Sequence, residues 1–258
     1  MSIITRFAPS PTGYLHLGHV RNAIEVWNFA REHGGRVLLR IEDHDKQRCK
    51  PEYEAAIRED LEWLGFNPDE EVPRQSERDA AYREVLAPMI ANGLVYGCSC
   101  SRTEIINHHY SGKCRNLAIG LRDDAIWRVR MDPGVEVFDD LRMGRQAQDP
   151  SAQVGDIPIR DRLGNWTYQW AATIDDFLQG VTHVIRGEDL LDSTGRQIRL
   201  ARLAGRNVPA EFLHHSLIMK TPEQKLSKSD GATGIRDLRQ RGLSKEAVFS
   251  MALHGPPC

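Results

Sequence analysis

The stretch from Arg6 to His19, RFAPSPTGYLHLGH, constrains this chain more than any other, because a buried strand, a rigid loop and a helix start follow one another within it. The apolar run from Ile3 to Ala8 predicts a buried strand. Apolar residues then recur at helical spacing at Val20, Ala23, Ile24 and Trp27. The pattern predicts a strand–loop–helix unit of an α/β protein.

The loop between this strand and helix is suited to an anionic ligand. Its two prolines fix backbone angles, and Gly13 and Gly18 let a ligand approach the main chain closely. The unpaired N–H groups at the start of the helix favour an anion, and His16 and His19 lie at the same end, where they can donate to a phosphate. Taken alone, the pattern also fits a strand–turn–helix with two incidental histidines.

Composition limits the class of protein. A chain of 258 residues with 40% apolar and 27% charged residues is typical of a globular protein with a good core. No apolar run approaches the ~20 residues of a membrane span, and no signal peptide precedes the first strand, so we expect a cytoplasmic protein. The net charge of −2 argues mildly against a large nucleic-acid footprint but leaves room for a local patch.

Two further predicted strands end in charged residues. Glu42 follows the strand predicted from Arg36 to Ile41, and Arg186 follows the strand predicted from Val181 to Ile185. Ligands of open α/β sheets bind where the strands end, so both side chains are candidates for a binding site. The alternatives are an acidic surface loop at Glu42, and a surface pairing of Arg186 with the acidic residues that follow it.

Local signals predict most of the remaining elements. Pro51 begins a helix that Gly65 ends, and a third helix is expected from Ser76, with Asp79 as capping partner and a kink at Pro88. The other predicted elements are strands at Ala125–Met131 and Val135–Phe138, a hairpin from Ile157 to Tyr168 around Gly164-Asn165, helices at Tyr168–Gly180, Ser193–Gly205 and Ser244–Leu253, and a last core strand at Leu213–Met219.

Three of the five cysteines form a candidate metal site. Cys98, Cys100 and Cys114 offer three soft ligands for Zn²⁺, and a structural site needs a fourth. Imidazole is a common zinc ligand, so His108 and His109 are the ordinary candidates for it. We expect one structural zinc ion that stabilises a small insertion, and three reduced cysteines in a loop are the weaker alternative.

The segment Lys225-Leu226-Ser227-Lys228-Ser229 lies far from the first loop in sequence. Its lysines and hydroxyls can surround a triphosphate and follow the charge as pyrophosphate leaves, although alone it also fits a charged surface loop. His16-Leu17-Gly18-His19 resembles the HIGH signature of class I aminoacyl-tRNA synthetases, and the lysine segment resembles their KMSKS loop. The residues around both are similar to the glutamyl branch, and the resemblance extends over nearly the whole chain.

The resemblance implies a Rossmann-type, doubly wound parallel α/β sheet and assigns roles to particular residues. Those that would bind ATP are His16, Gly18, His19, Lys225, Ser227 and Lys228, of which His16, His19 and Lys228 would be catalytic. Those that would bind L-glutamate are Arg6, Ala8, Ser10, Glu42, Tyr168 and Arg186. Mg²⁺ is expected on the phosphates, although no sequence motif indicates it.

Within the branch, the chain is most similar to the short glutamyl-Q family. The run from Leu190 to Thr194, LLDST, matches that family, although Gly195 departs from its usual proline. The resemblance names Tyr110 as the fourth zinc ligand, and it implies transfer of glutamate to queuosine at the wobble position of tRNA(Asp).

The resemblance also implies how the chain is organised. We expect two halves of a catalytic domain at 1–97 and 156–258 around a zinc-bearing insertion at 98–155, no anticodon-binding domain, and a monomer. The alternatives are a truncated glutamyl-tRNA synthetase that charges tRNA(Glu) and a non-catalytic paralogue that binds tRNA or nucleotide.

Overall fold

The structure is a computed structural model that describes residues 2–105, 109–221, 224–225 and 234–255. The chain divides into two compact units, each built from separate stretches. The first comprises Met1–Arg74, Val181–Leu191 and Glu211–Cys258, and the second comprises Gln75–Gly180 and Asp192–Ala210. The predicted insertion, residues 98–155, lies entirely within the second unit. That unit extends beyond the predicted insertion on both sides and begins at Gln75.

Strands and helices alternate through most of the described residues. The strands are β1 Ile4–Phe7, β2 Arg36–Leu39, β3 Glu70–Glu71, β4 Val95–Cys98, β5 Ile126–Val129, β6 Glu136–Asp140, β7 Gly144–Gln148, β8 Ile157–Arg160, β9 His183–Gly187, β10 Glu211–His215, β11 Met219–Thr221 and β12 Gln224–Lys225. The helices are α1 Leu17–Glu32, α2 Pro51–Leu64, α3 Asp79–Ala91, α4 Pro150–Val154, α5 Tyr168–Leu178, α6 Thr194–Leu203, α7 Ile235–Gln240 and α8 Lys245–His254. None of the helices in the described part of the chain combines the length and the apolar character that crossing a bilayer requires.

A parallel sheet forms the centre of the first unit. Strand β2 pairs in parallel with β1 on one side and β3 on the other, and β9 pairs in parallel with β10. The main-chain N–H of Thr182 donates to the carbonyl oxygen of Ile4 at 2.8 Å, which places β9 beside β1. The resulting order, β3-β2-β1-β9-β10, is that of a Rossmann sheet and confirms the predicted fold class.

Helix α1 packs on this sheet with the apolar side that its sequence predicts. Val20, Ala23 and Trp27 are all buried, and the ring of Trp27 lies 5.6 Å from that of Phe7 on β1. Helix α2 begins at Pro51, as expected, and ends at a left-handed glycine. The α1 side chains fix the distance between the helix and the end of β1, and therefore the position of the loop that joins them.

The second unit is built on antiparallel strands. Strand β5 pairs with β4 and with β8, and β6 pairs with β7. A buried carboxylate, Asp175 of α5, accepts hydrogen bonds from Tyr82 at 2.8 Å, Gln75 at 3.0 Å and Arg78 at 2.5 Å. The network fixes α5 against the beginning of α3, so Asp175 has a structural role.

The third predicted helix begins later than its sequence suggests. Residues 75–77 form a 3-10 turn, and α3 begins at Asp79 rather than at Ser76. The side chain of Asp79 does not cap the helix but accepts a hydrogen bond from the indole of Trp166 at 2.9 Å. Pro88 does lie inside α3, as predicted.

Two other elements also differ from expectation. The hairpin predicted from Ile157 to Tyr168 reduces to one bridge between Arg160 and Trp166, because the Asp161 carboxylate accepts from two main-chain N–H groups and widens the turn. The strand predicted at Leu213–Met219 begins two residues earlier and ends at His215, since its register with β9 starts at Glu211.

Candidate active site and metal centre

His16 and His19 cap the first turn of α1 with their own rings. The main-chain N–H of Gly18 donates to Nδ1 of His16 at 3.1 Å, and the main-chain N–H of His16 donates to Nδ1 of His19 at the same distance. The two ring centres are 4.0 Å apart. Because each Nδ1 accepts a hydrogen bond, each neutral ring has its proton on Nε2 and can donate from that atom.

Gly18 is required for this arrangement. A Cβ atom at this position would lie 2.9 Å from Cε1 and 3.1 Å from Nδ1 of the His16 ring. Ordinary contacts begin at about 3.4 Å, so any side chain here would displace the ring. The glycine of the HLGH motif therefore makes room for the first histidine.

Two buried arginines lie on the adjacent strands β1 and β9. Arg6 is 5% exposed and donates from Nη1 to the carbonyl oxygen of Ile185 at 3.4 Å. Arg186 is 4% exposed and donates from Nε to Nε2 of His214 at 3.0 Å. Burial contradicts the alternative in which Arg186 pairs with acidic residues at the surface, and it places both guanidinium groups on neighbouring strands of the sheet.

Glu42 lies just beyond the end of β2 and is held by a residue that the sequence analysis missed. Its Oε1 accepts a hydrogen bond from Nη2 of Arg40 at 2.9 Å, and both side chains are buried. The main-chain N–H of Glu42 also donates to the carbonyl oxygen of Pro9 at 3.0 Å. Residues i and i+2 of an extended chain share a face, so the Arg40–Glu42 spacing is a signal that could have revealed the pair.

Ala8 and Ser10 belong to the loop that follows β1, and both are half-buried. The hydroxyl of Ser10 lies 3.9 Å from Sγ of Cys49, and that thiol also donates to the carbonyl oxygen of Glu42 at 3.9 Å. Burial raises the pKa of Cys49, so the thiol stays neutral near pH 7 and acts as a packing neighbour of the loop.

Four predicted site residues remain, namely Tyr168, Lys225, Ser227 and Lys228. Tyr168 is the first residue of α5 and belongs to the second unit, whereas the other five predicted glutamate ligands belong to the first. Lys225 lies in β12, and Ser227 and Lys228 lie outside the described residues.

The chain after the KLSKS segment returns to the HLGH loop. The main-chain N–H of Ile235, the first residue of α7, donates to the carbonyl oxygen of Leu15 at 2.8 Å. Both side chains are buried in the core of the first unit. Leu15 directly precedes His16, so this bond places the start of α7, six residues after Ser229 in sequence, beside the HLGH motif.

The three clustered cysteines form a buried group in the second unit. The sulfur atoms of Cys98, Cys100 and Cys114 all lie within 4.8 Å of one another, and those of Cys100 and Cys114 are 3.5 Å apart. Zn–S bonds of about 2.3 Å in a tetrahedral site separate sulfur atoms by roughly 3.8 Å, so the spacing fits a zinc ion. All three thiols are free of disulfides.

Tyr110, and not His109, faces this group. The Tyr110 hydroxyl lies 3.5 Å from Sγ of Cys98 and accepts a hydrogen bond from the main-chain N–H of Cys114 at 2.8 Å. His109 is exposed, and its Nε2 lies 3.1 Å from the carbonyl oxygen of Ser151. The other candidate, His108, lies outside the described residues.

The thiol group holds its charge unevenly when no cation is present. Burial opposes ionisation of Cys114, but hydrogen bonds from Tyr110 and from the main chain outweigh it and lower the pKa of this thiol to about 7. Burial and the neighbouring sulfur of Cys114 raise the pKa of Cys100. One thiolate therefore forms readily, while full ionisation of the group requires a bound cation.

Comparisons with known proteins agree with this geometry. The family model described as tRNA synthetases class I (E and Q), catalytic domain, matches residues 2–254. The chain is 43% identical to the Glutamyl-Q tRNA(Asp) synthetase of Cupriavidus metallidurans, over 89% of this chain and 78% of that protein. It is also 40% identical to Glutamate–tRNA ligase 1 of Acidithiobacillus ferrooxidans, over 97% of this chain but only 56% of the ligase.

A solved structure gives the same result. The crystal structure of a glutamate tRNA ligase from Elizabethkingia meningosepticum, in complex with its amino acid, superposes with a TM-score of 0.84 at 29% identity. The match covers 98% of this chain and 61% of that one, so the chain spans less than two thirds of that relative. Since the family model covers nearly the whole chain and one relative is 43% identical over most of both chains, the chain belongs to the class I tRNA synthetases of the E and Q group, a family of ATP-dependent ligases.

Proposed function

We propose that this enzyme uses ATP to convert L-glutamate into glutamyl-adenylate and pyrophosphate, and then transfers the glutamyl group to a hydroxyl of a tRNA with release of AMP. In the first step the α-carboxylate of glutamate attacks the α-phosphorus of ATP, and the bond to pyrophosphate breaks. The observation that carries this proposal is the pair of histidines at the start of α1, whose Nε2–H groups can donate to phosphate oxygens.

The phosphates would be held without a covalent intermediate. His16 and His19 would donate to them at the positive end of α1, where an anion is favoured. Lys228 would supply a full positive charge as pyrophosphate leaves, and the support is the resemblance of the segment from Lys225 to Ser229 to the KMSKS loop. Mg²⁺ would neutralise further charge on the triphosphate.

Glutamate would be oriented by two of its charged groups. Arg186 is suited to the side-chain carboxylate, because a guanidinium offers two parallel donors and this one is held in place by His214. Glu42 would receive the α-ammonium group, with Arg40 fixing the orientation of its carboxylate. Arg6, Ala8 and Ser10 would complete this set in the first unit, and the family resemblance assigns Tyr168 to glutamate as well.

We further propose that the acceptor is queuosine at the wobble position of tRNA(Asp). The support is the similarity to proteins named Glutamyl-Q tRNA(Asp) synthetase, at 43% identity over most of both chains. The cyclopentene diol of queuosine presents a cis-diol like that of the terminal ribose that larger synthetases esterify. The reaction would take place in the cytoplasm.

We also propose that Cys98, Cys100, Tyr110 and Cys114 hold one structural Zn²⁺. The distance of 3.5 Å between the Tyr110 oxygen and Sγ of Cys98 supports Tyr110 as the fourth ligand, since tetrahedral Zn–O and Zn–S bonds separate the two atoms by about 3.5 Å. The ion would neutralise the thiolates and fix the loops that carry them.

Two assays test these proposals. Glutamate-dependent exchange of labelled pyrophosphate into ATP reports the first step alone, and its absence would leave only the non-catalytic paralogue. Transfer of labelled glutamate to purified tRNA(Asp), with and without queuosine, and to tRNA(Glu) reports the second step. We expect labelling only of queuosine-containing tRNA(Asp), and labelling of tRNA(Glu) instead would identify a truncated glutamyl-tRNA synthetase.

A further inference from the structure

The second unit contains a cavity of about 300 Å³ whose walls are partly apolar and partly cationic. The residues that line it are Ile105, Tyr110, Arg128, Val154, Ile157, Pro158, Gln169 and Arg196. None of them is a carboxylate, although two are arginines. The volume is at the lower end of the range found for sites that bind small molecules.

Arg128 is buried, and no carboxylate among the described residues forms an ion pair with it. It is 2% exposed, its Nη1 donates to the main-chain oxygen of Asp156 at 2.8 Å, and its guanidinium carbon lies 3.8 Å from the ring centre of Tyr110. Its Nε is buried and has no hydrogen-bond partner among the described residues. The Asp156 carboxylate is already engaged by Arg115 and Tyr96.

Arg196 and Gln169 add a second cation and an amide to the lining of the same cavity. Arg196 donates from Nη2 to the carbonyl oxygen of Asp192 at 3.1 Å, but its buried Nε has no partner in the described part of the chain. Burial lowers the pKa of Arg196, and the nearby Asp192 carboxylate opposes this shift. Gln169 donates to Ser193 at 3.3 Å.

We infer that this cavity binds a small organic oxyanion, a carboxylate or phosphomonoester on a ring-sized apolar body. The charged oxygens would accept hydrogen bonds from the guanidinium groups of Arg128 and Arg196, which line the same cavity. A buried cation without an opposite charge is costly, and an anionic ligand beside both guanidinium groups offsets that cost.

The shape of the cavity favours an organic anion over an inorganic one. Ile105, Val154 and Ile157 contribute apolar wall that inorganic phosphate would leave uncovered, whereas an aromatic or alicyclic ring would cover it. The inference does not depend on the proposed phosphate site, because His16 and His19 belong to the first unit and the cavity belongs to the second, although its lining shares Tyr110 with the proposed zinc site.

Calorimetric titration of the full chain with benzoate, phenyl phosphate and phenol tests the inference. We expect both kinds of anion to bind and phenol not to bind, and the preference between benzoate and phenyl phosphate identifies the oxyanion class.

Variants of Arg196 test whether the anions bind in this cavity. Arg196→Gln weakens both anions roughly 10- to 100-fold, the value of a charge-assisted hydrogen bond, and Arg196→Lys gives an intermediate loss if the glutamine variant does not fold. Arg122→Gln, a change at an exposed arginine of the same unit, leaves binding unchanged. Absence of anion binding, equal affinity in the Arg196 variants, or displacement of the probe by saturating L-glutamate would overturn the inference.

Discussion

Replacement of Gly18 by alanine separates the proposed catalytic role of the first loop from its contribution to folding. The new Cβ would lie 2.9 Å from Cε1 of His16, whereas ordinary contact begins at 3.4 Å, so the ring must move by about 0.5 Å. This movement breaks the hydrogen bond from the main-chain N–H of Gly18 to Nδ1 of His16. A displacement of about 1 Å costs roughly 100-fold in rate, so we expect about a tenfold loss in glutamate-dependent exchange.

We expect Gly18→Ala to change the stability of the protein much less than its activity. Gly18 lies in the first turn of α1, where alanine is favoured over glycine by about 1 kcal/mol, and loss of the His16 cap costs about as much. The two effects nearly cancel, so we expect a melting temperature within a few degrees of the wild type.

A matched control is available in the second unit. Gly120→Ala introduces the same methyl group with its nearest neighbour 3.9 Å away, and we expect both exchange and melting temperature to be unchanged. Exchange activity of Gly18→Ala within twofold of the wild type would refute the argument that the position of the His16 ring determines the rate.

Three further changes test other parts of the molecule. Cys100→Ser should reduce bound zinc, measured by atomic absorption, from one ion to none, while Cys49→Ser, outside the thiol group, should retain it; unchanged zinc content in Cys100→Ser would refute the ligand set. Arg186→Lys should raise the KM for glutamate roughly 10- to 100-fold in the exchange assay with the KM for ATP unchanged, and an equal rise in both would contradict its assigned role. Burial raises the pKa of Asp60 from 3.8 to about 6, so the wild type gains stability as the pH falls through this range. Asp60→Asn should therefore stabilise the protein by about 3 kcal/mol at pH 7 and by nothing below about pH 4, as measured by urea unfolding at both pH values.

Helices α1 and α2 of the first unit could be predicted because their signals are local. The apolar spacing of α1, Pro51 at the start of α2 and Gly65 after its end act within one or two turns, and the structure confirms them. The start of α3 could not be predicted in this way. Its first residue, Asp79, bonds to Trp166, which is 87 residues away in sequence, and no local pattern indicates that contact.

The site residues also divide into those that a local signal identifies and those that depend on distant contacts. Charged residues at the ends of predicted strands identified Glu42 and Arg186, but not the groups that hold them. The His214 partner of Arg186 is 28 residues away on the next strand, and it follows only from the strand order. The prediction of Tyr110 as a zinc ligand came from the family resemblance. A phenol is not an ordinary zinc ligand, and ligand chemistry favoured the histidines beside it.

In the first loop, the two histidines that cap the helix are also the residues proposed to bind phosphate. Each ring uses Nδ1 as an acceptor for a main-chain N–H in the first turn of α1, so helix capping selects the tautomer with the proton on Nε2. A phosphate ligand needs that same donor. Folding therefore prepares the donors before ATP arrives, and the spacing of His16 and His19, three residues apart, satisfies the helix and the proposed reaction together.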